Sequence, residues 1–283
     1  MKSLLAKFAV IAAATALVGV VHAGTITVKG SDTLIILAQK WAEVYMSTHP
    51  EVKIQVTGGG SGVGFAALQS KQTDIADASR PIKPAEVASC IKAFGQKPTE
   101  YKVALDGLTV YVNSDNPLSE LSIEQLEKIF TGKVKNWKEV GGPDLGIAVY
   151  SRENSSGTYE FFKEHVLKGK DFVASAQTMP GTAAVLQAVA KDKNGIGYGG
   201  AAYSQGIKSL KIKKDAESPG IAPSEENVLS GKYPLSRYLF NYLDPEKDKG
   251  EIAEYLKWIR SDEGQKIVKE KDYYPLPEEL RTK

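Results

Sequence analysis

The sequence predicts an α/β protein of two lobes, each a sheet with helices packed on it. Three observations carry that expectation. Strand-like and helix-like segments alternate from Gly24 onward, in the β-α-β order that a largely parallel sheet produces. A second run of the same alternation starts near Ser122. No Pro/Gly/Ser-rich linker separates the two runs. The chain is therefore expected to cross between lobes more than once, first near 103–113 and again within 214–236, with the C-terminal segment rejoining the first lobe. A length of 283 residues accommodates two modest lobes, and 42% hydrophobic with 25% charged residues is ordinary globular composition.

The elements follow in order. TITVK (25–29) is β-branched at alternate positions and reads as a strand. Leu34, Leu37, Ala38, Trp41, Val44 and Tyr45 recur at helical spacing on one face. VKIQVT (52–57) is a strand, GVGFAALQS (62–70) a helix and TDIADAS (73–79) a short strand. YKVALDGLTVYVN (101–113) reads as one or two strands, with Gly107 as a bend. SIEQLEKIF (122–130) is helical, GIAVYS (146–151) a strand, and TYEFFKEHVL (158–167) and TAAVLQAVA (182–190) are helices. GIGYGG (195–200) is a strand end or a turn. The aromatic-rich YPLSRYLFNYL (233–243) is strand-like, and EIAEYLKWIR and EGQKIVKE close the chain as helices.

Residues 1–23 have the form of a cleaved secretory signal. Lys2 and Lys7 precede the apolar run FAVIAAATALVGVV, and VHA supplies small residues before Gly24. No lipobox cysteine follows, so no lipid anchor is expected. Setting aside Lys2 and Lys7, basic and acidic residues balance, which argues against a nucleic-acid surface. The lone Cys90 gives an exported chain no internal disulfide and is expected to be an inert thiol. Gly62-x-Gly64-x-x-Ala67 matches a dinucleotide fingerprint, but in the second strand-to-helix turn rather than the first. There is no Walker A loop, and Val63 breaks a G-x-S-x-G around Ser61. His49 and His165 have neither metal nor triad spacing and are placed on solvated helix faces, so no metal or cofactor is expected. Glu225–Glu226, Glu278–Glu279 and Lys211, Lys213 and Lys214 read as surface charge.

The informative positions are four polar turns. GSDT (30–33), GGGSGVG (58–64), ADASRP (76–81) and SRENSSGT (151–158) each follow a predicted strand, at the sheet edge where ligands bind. Helix starts expose backbone N–H groups that lack intrahelical partners, and the helix dipole favours an anion there. Glycine lets backbone approach closely, hydroxyls add short donors, and Arg80 and Arg152 add planar forks. Donors without bulk suit a small, oxygen-rich anion. Each turn taken singly is also an ordinary helix cap.

GSDTL, GGGSG, DIADASRP and SRENSSGT, in that order behind a signal segment, resemble the phosphate-binding proteins of ABC importers, of the PstS type. NGIGYGG and YPLSRYLF strengthen the resemblance, which spans most of the mature chain. It implies a two-lobed type II periplasmic-binding-protein fold, each lobe a mixed, mostly parallel sheet flanked by helices, with ligand in the interlobe cleft. The expected boundaries are 24–107 and 226–283 for the first lobe and 108–225 for the second. It implies a periplasmic monomer that catalyses nothing, binds inorganic phosphate and docks on the importer's membrane subunits. Residue by residue, it implies phosphate contacts from Ser31, Asp32 and Thr33, from Ser61, from Ser79 with Arg80, and from Arg152, Ser156, Gly157 and Thr158 across the cleft. Well-known members carry an aspartate where this chain has Ser79, so Asp32 is expected to accept the hydrogen bond of a protonated phosphate and thereby disfavour sulfate. Another oxyanion (sulfate, molybdate or tungstate), an adhesion or signalling role on the same fold, and an exported hydrolase are the alternatives.

Overall fold

A computed structural model describes residues 24–282. The segment read as a secretory signal lies outside the described residues. The chain runs β1 (Thr25–Gly30), α1 (Ile35–Thr48), β2 (Lys53–Thr57), α2 (Ser61–Gln69), β3 (Ile75–Ala78), α3 (Pro84–Phe94) and β4 (Thr99–Val112). It continues with β5 (Glu120–Ser122), α4 (Ile123–Phe130), β6 (Ala148–Arg152), α5 (Gly157–His165), β7 (Gln177–Met179), α6 (Thr182–Lys191), β8 (Gly195–Gly200) and β9 (Lys208–Lys213). The last elements are α7 (Glu225–Leu229), β10 (Ser236–Leu243), α8 (Gly250–Ile259) and α9 (Asp262–Glu270).

Two sheets share one strand. The first has the order β2-β1-β3-β10-β4, parallel among β1, β2 and β3 and antiparallel at β10. The second is built on the far half of β4, which pairs antiparallel with β8 on one edge and β9 on the other. There β6 pairs parallel with β7 and β8, and β5 with β9. The change of partner falls between Gly107, opposite Ser236, and Leu108, opposite Gly200. β4 is thus one continuous strand through Gly107. A side chain at Gly107 would press on Pro223 and Val228, which explains the glycine by space.

Each sheet has its own core. Ile26, Val28, Leu37, Trp41 and Tyr45 pack with Tyr255, Leu256 and Val268 of the C-terminal helices on the first. Leu108, Val110, Phe130, Trp137, Phe162 and Tyr198 form the second. Val228, Tyr233, Leu235, Tyr274 and Leu276 also join the second core, so the returning segment contributes side chains to both. The tyrosines at 233, 242, 273 and 274 are buried packing residues.

Several local readings change. The segment 195–200 is a complete strand, buried along its length, because its glycines lie against α6 and β4. A Cβ at Gly197 would come 2.5 Å from Val185, and one at Gly199 would come 2.7 Å from Thr182. α3, like β5, β7, β9 and α7, has no counterpart among the sequence expectations. Its signals are local: Pro84 at the first turn, Glu86 accepting from the Lys83 amide at 2.8 Å, and Gly95 at φ 81°. Cys90, its one buried residue, has its thiol pushed up to about 11 chiefly by burial, with Glu86 adding to the shift. His165 is exposed, whereas His49 is half-buried and stacks on Tyr45 at 4.0 Å.

β3 also carries a buried carboxyl. Asp77 lies opposite Asn241 of β10 and accepts from its amide. Burial pushes Asp77 up to about 7, with the Asn241 hydrogen bond pulling the other way. Asn241 Oδ1 is buried with no hydrogen-bond partner among the described residues, and protonation of Asp77 adds a donor to the same cross-strand pair. An unfolded aspartate ionises near ~3.9, so Asp77's contribution to stability is full below about pH 4 and is lost as pH rises to about 7. Asp77→Asn is expected to be more stable than the parent by ~2–4 kcal/mol at pH 8, with the gap closing by about pH 4. Urea melts at the two pH values check this; a gap that is constant or wider in acid contradicts it.

Candidate anion-binding site

The four turns converge at one end of the shared architecture. After β1, Ser31 N donates to the Asp77 carbonyl at 3.0 Å, and Ser31 Oγ accepts from Thr33 N at 3.2 Å. α1 then starts at Ile35, with Leu34 at its N-cap and no side-chain cap. Gly30 is required here, since a Cβ would lie 2.1 Å from the Asp77 carbonyl oxygen. After β2, the glycine run brings Gly60 N to the Gly30 carbonyl at 2.8 Å, and α2 starts at Ser61, again without a side-chain cap. After β3, Ser79 N donates to Ser61 Oγ at 3.0 Å. These three turns form one jaw.

The other jaw follows β6. Ser156 caps α5, accepting from Tyr159 N at 3.2 Å, so its hydroxyl has the ordinary capping role as well as a place in the cleft. Gly157 sits against Ser61 and Ser79 so closely that an added Cβ would be 2.3 Å from Ser61 Oγ. Thr158 Oγ1 meets Thr33 Oγ1 of the first jaw at 2.7 Å. Ser155 clasps the glycine run from outside. Its carbonyl accepts from Gly62 N at 2.9 Å and its hydroxyl donates to the Gly59 carbonyl at 3.1 Å.

Arg152 lies between the jaws with its side chain 1% exposed. Its guanidinium donates to Asp32 Oδ2 at 2.8 Å, to both Glu153 oxygens at 3.1 and 2.9 Å, and to Thr182 Oγ1 at 3.0 Å. Asp32 Oδ1 accepts from Gly59 N at 2.9 Å, and Tyr203 donates to the Asp32 carbonyl at 2.7 Å. Burial opposes ionisation of Glu153, but Arg152 and the Gly181 amide outweigh it and hold the carboxyl below its usual range. A second buried arginine, Arg237 of β10, pairs with Asp106 of β4 and reaches Thr158. At the rim, Lys83 and Glu160 pair across the jaws at 2.8 Å, an exposed contact of little energetic weight.

Ser31, Thr33, Ser61, Ser79, Arg152, Ser156, Gly157 and Thr158 are all buried and share this cleft, and Asp32 is half-buried at its edge. Arg80 is oriented differently. Its fork binds both oxygens of Glu86, at 2.8 and 2.7 Å, with Nη1 also on the Pro81 carbonyl at 3.0 Å, and it lies over the Phe65 ring. It braces the start of α3. The sequence reading missed Asp106, Glu153, Thr182 and Arg237. For two of them a signal existed: single charges inside the apolar strands VALDGLTV and YPLSRYLF.

Two arginines face three carboxylates here, so attraction for an anion cannot come from net charge. It comes from oriented dipoles: the uncapped starts of α1 and α2, the start of α5, and the hydroxyls between them. Among the described residues no group of three His, Cys, Asp or Glu side chains is placed to hold a metal ion.

A family model described as a PBP superfamily domain matches residues 21–263. The phosphate-binding protein PstS of Pseudomonas aeruginosa is 34% identical over 276 residues, covering 92% of this chain and 85% of the relative. PstS of Staphylococcus epidermidis is 38% identical over 246 residues, covering 84% and 74%. A Clostridium perfringens structure, described as a phosphate ABC transporter substrate-binding protein with bound phosphate, superposes with a TM-score of 0.82 at 28% identity. It covers 90% of this chain and 100% of its own. An ABC-type phosphate transport receptor from Vibrio cholerae gives a TM-score of 0.71 at 28% identity, covering 89% and 100%. The fold is therefore the two-lobed type II arrangement that the turn motifs implied.

Proposed function

This chain belongs to the PBP superfamily and, within it, to the PstS-type phosphate-binding proteins, and from that premise we propose that it captures inorganic phosphate between its two sheets and delivers it to an ABC-type importer. The observation that carries the reading is the meeting of two helix starts from different sheets, α1 and α5, through Thr33 and Thr158. The phosphate-binding set we assign is Ser31, Asp32, Thr33, Ser61, Ser79, Arg152, Ser156, Gly157 and Thr158. Arg80 supports the Ser79 turn through Glu86 instead of touching ligand.

Capture is a population shift. Contacts such as Arg152–Asp32 and Ser155–Gly59 exist only with the jaws together, so an anion that bonds to both favours the closed form. β4, where it changes sheets at Gly107, and the segment 214–235 form the hinge between lobes. One chain supplies both jaws, so the working unit is a monomer. The importer's membrane subunits read the closed surface. The output is release of an unchanged anion; two of the site hydroxyls, Ser61 and Ser156, accept from the backbone amides of Ser79 and Tyr159. The working form is periplasmic after removal of residues 1–23. No helix among the described residues is long and apolar enough to cross a membrane.

Calorimetric titration of the phosphate-stripped mature protein tests the reading, with tight one-to-one uptake of phosphate that excess sulfate does not suppress as the expected result. No heat with phosphate, or equal competition by sulfate, overturns it. Asp32 is the selectivity element. Each of its carboxylate oxygens already accepts one N–H and retains a lone pair for a phosphate O–H, which sulfate cannot offer. Asp32→Asn is expected to narrow the phosphate-to-sulfate affinity ratio by roughly 10-fold or more, since one mismatched buried partner is worth ~1–3 kcal/mol. An unchanged ratio removes Asp32 from that role.

A further inference from the structure

Arg237 is a cation in an aromatic strand, and what it touches gives the cleft floor a direction. It lies cross-strand from Asp106, and Nε and Nη2 both donate to Asp106 Oδ2, at 3.0 and 2.7 Å. Nη2 also donates to Thr158 Oγ1 at 3.0 Å, and Nη1 to the Ser79 carbonyl at 3.0 Å. The guanidinium stands 5.1 Å from the centre of the Phe161 ring. A side chain rooted in the first sheet thus grips the end of β3 and two residues of α5. The Arg237 and Asp106 side chains are only 3% and 1% exposed. Arg152 makes the opposite reach, from the second sheet to Asp32.

A guanidinium has donors only. Thr158 Oγ1 must accept from it, which leaves the hydroxyl's one proton for the cleft side, where Thr33 Oγ1 stands at 2.7 Å. The Ser79 carbonyl, an acceptor that would repel an anion, is occupied by the same fork. We propose that Arg237, anchored through Asp106 Oδ2, is a positioning residue for the cleft floor, aiming the Thr158 hydroxyl at the anion and masking the Ser79 carbonyl. Asp106 holds Nε and Nη2, so the fork supports the floor instead of swinging onto the ligand. With the Thr158 hydroxyl turned to the cleft and an acceptor at Asp32, a protonated phosphate favours the orientation with its O–H toward Asp32. This inference rests on the phosphate reading above.

The test is a double-mutant cycle on the mature protein, read by calorimetric titration with inorganic phosphate. Arg237→Lys keeps a cation opposite Asp106 but lacks the planar fork. Thr158→Val removes the hydroxyl at nearly constant volume. Each is expected to weaken phosphate binding by roughly 10- to 100-fold, the range of one hydrogen bond to a charged group. The double variant is expected to bind no more than about threefold worse than the weaker single variant, because both changes remove the same donor. If Arg237→Lys melts below the assay temperature, Asp106→Asn takes its place; it loosens the fork without deleting it, and the same coupling to Thr158 is expected. Losses that multiply, or a fork variant that binds phosphate as the parent does, overturn the proposal, since Arg237 would then serve the fold alone. A parent protein that takes up no phosphate is a different failure, which removes the functional reading and this inference together.

Discussion

Gly157→Ala is expected to weaken phosphate capture by roughly 100-fold or more while leaving the melting temperature within a few degrees of the parent. The new Cβ would lie 2.3 Å from Ser61 Oγ, 2.7 Å from Ser79 Oγ and 3.0 Å from Ser61 Cβ. Turning the serine does not relieve the clash, because Ser61 Oγ is held by Ser79 N and Ser61 Cβ is tied to the α2 backbone. The jaws must part instead. Overpacking of this kind costs ~1–3 kcal/mol, and the parted jaws lose the Thr33–Thr158 and Ser155–Gly59 bonds as well. Within its own helix the change is harmless, since Gly157 begins α5 and alanine is the better helix former by up to ~1 kcal/mol. Titration with phosphate and a thermal melt of the same preparation check both halves. Affinity within threefold of the parent would mean that α5 does not close on Ser61.

Arg152→Ala is expected to lower phosphate affinity by about 3 kcal/mol, because the loss of one partner strands buried charge. Asp32 and Glu153 share that guanidinium from opposite jaws, and without it two carboxylates face each other beside the anion. Arg152→Lys is expected to recover only part of the loss, since an ammonium cannot span Asp32, Glu153 and Thr182 together. The pH dependence has a definite sign. Burial pushes Glu153 up and Arg152 brings it down, so in Arg152→Ala the carboxyl takes up a proton more readily. The affinity deficit relative to the parent should therefore shrink as pH falls. Titrations of both proteins from pH 5 to pH 8 decide it, and a deficit that widens in acid contradicts the assignment of Glu153 as the stranded charge.

Much of this was legible because it is local. The period-2 and period-3.6 patterns of 25–29, 34–45 and 52–57 lie where β1, α1 and β2 form, and glycine and hydroxyl residues mark the turns between them. The strand at 195–200 was obscured for the opposite reason. Its glycines answer to α6 packing across it, a fit that periodicity within the segment does not show. Arg80 and Arg152 show the same divide. Both are arginines beside a polar turn, yet one has Glu86 six residues away to fork onto and the other has Asp32 across the cleft.

The amino-acid order alone determined the α/β alternation, the polar turns and their chemistry of donors without bulk, since these depend on residues a few positions apart. Only the tertiary structure decided which of those turns face one another, that β4 carries the chain from one sheet to the next at Gly107, and that Asp106 and Arg237 lie beneath the cleft. The physical reason is that an ion pair or a clasp between jaws is an interaction between strands paired far apart in sequence, set by sheet register and burial, which no local pattern encodes.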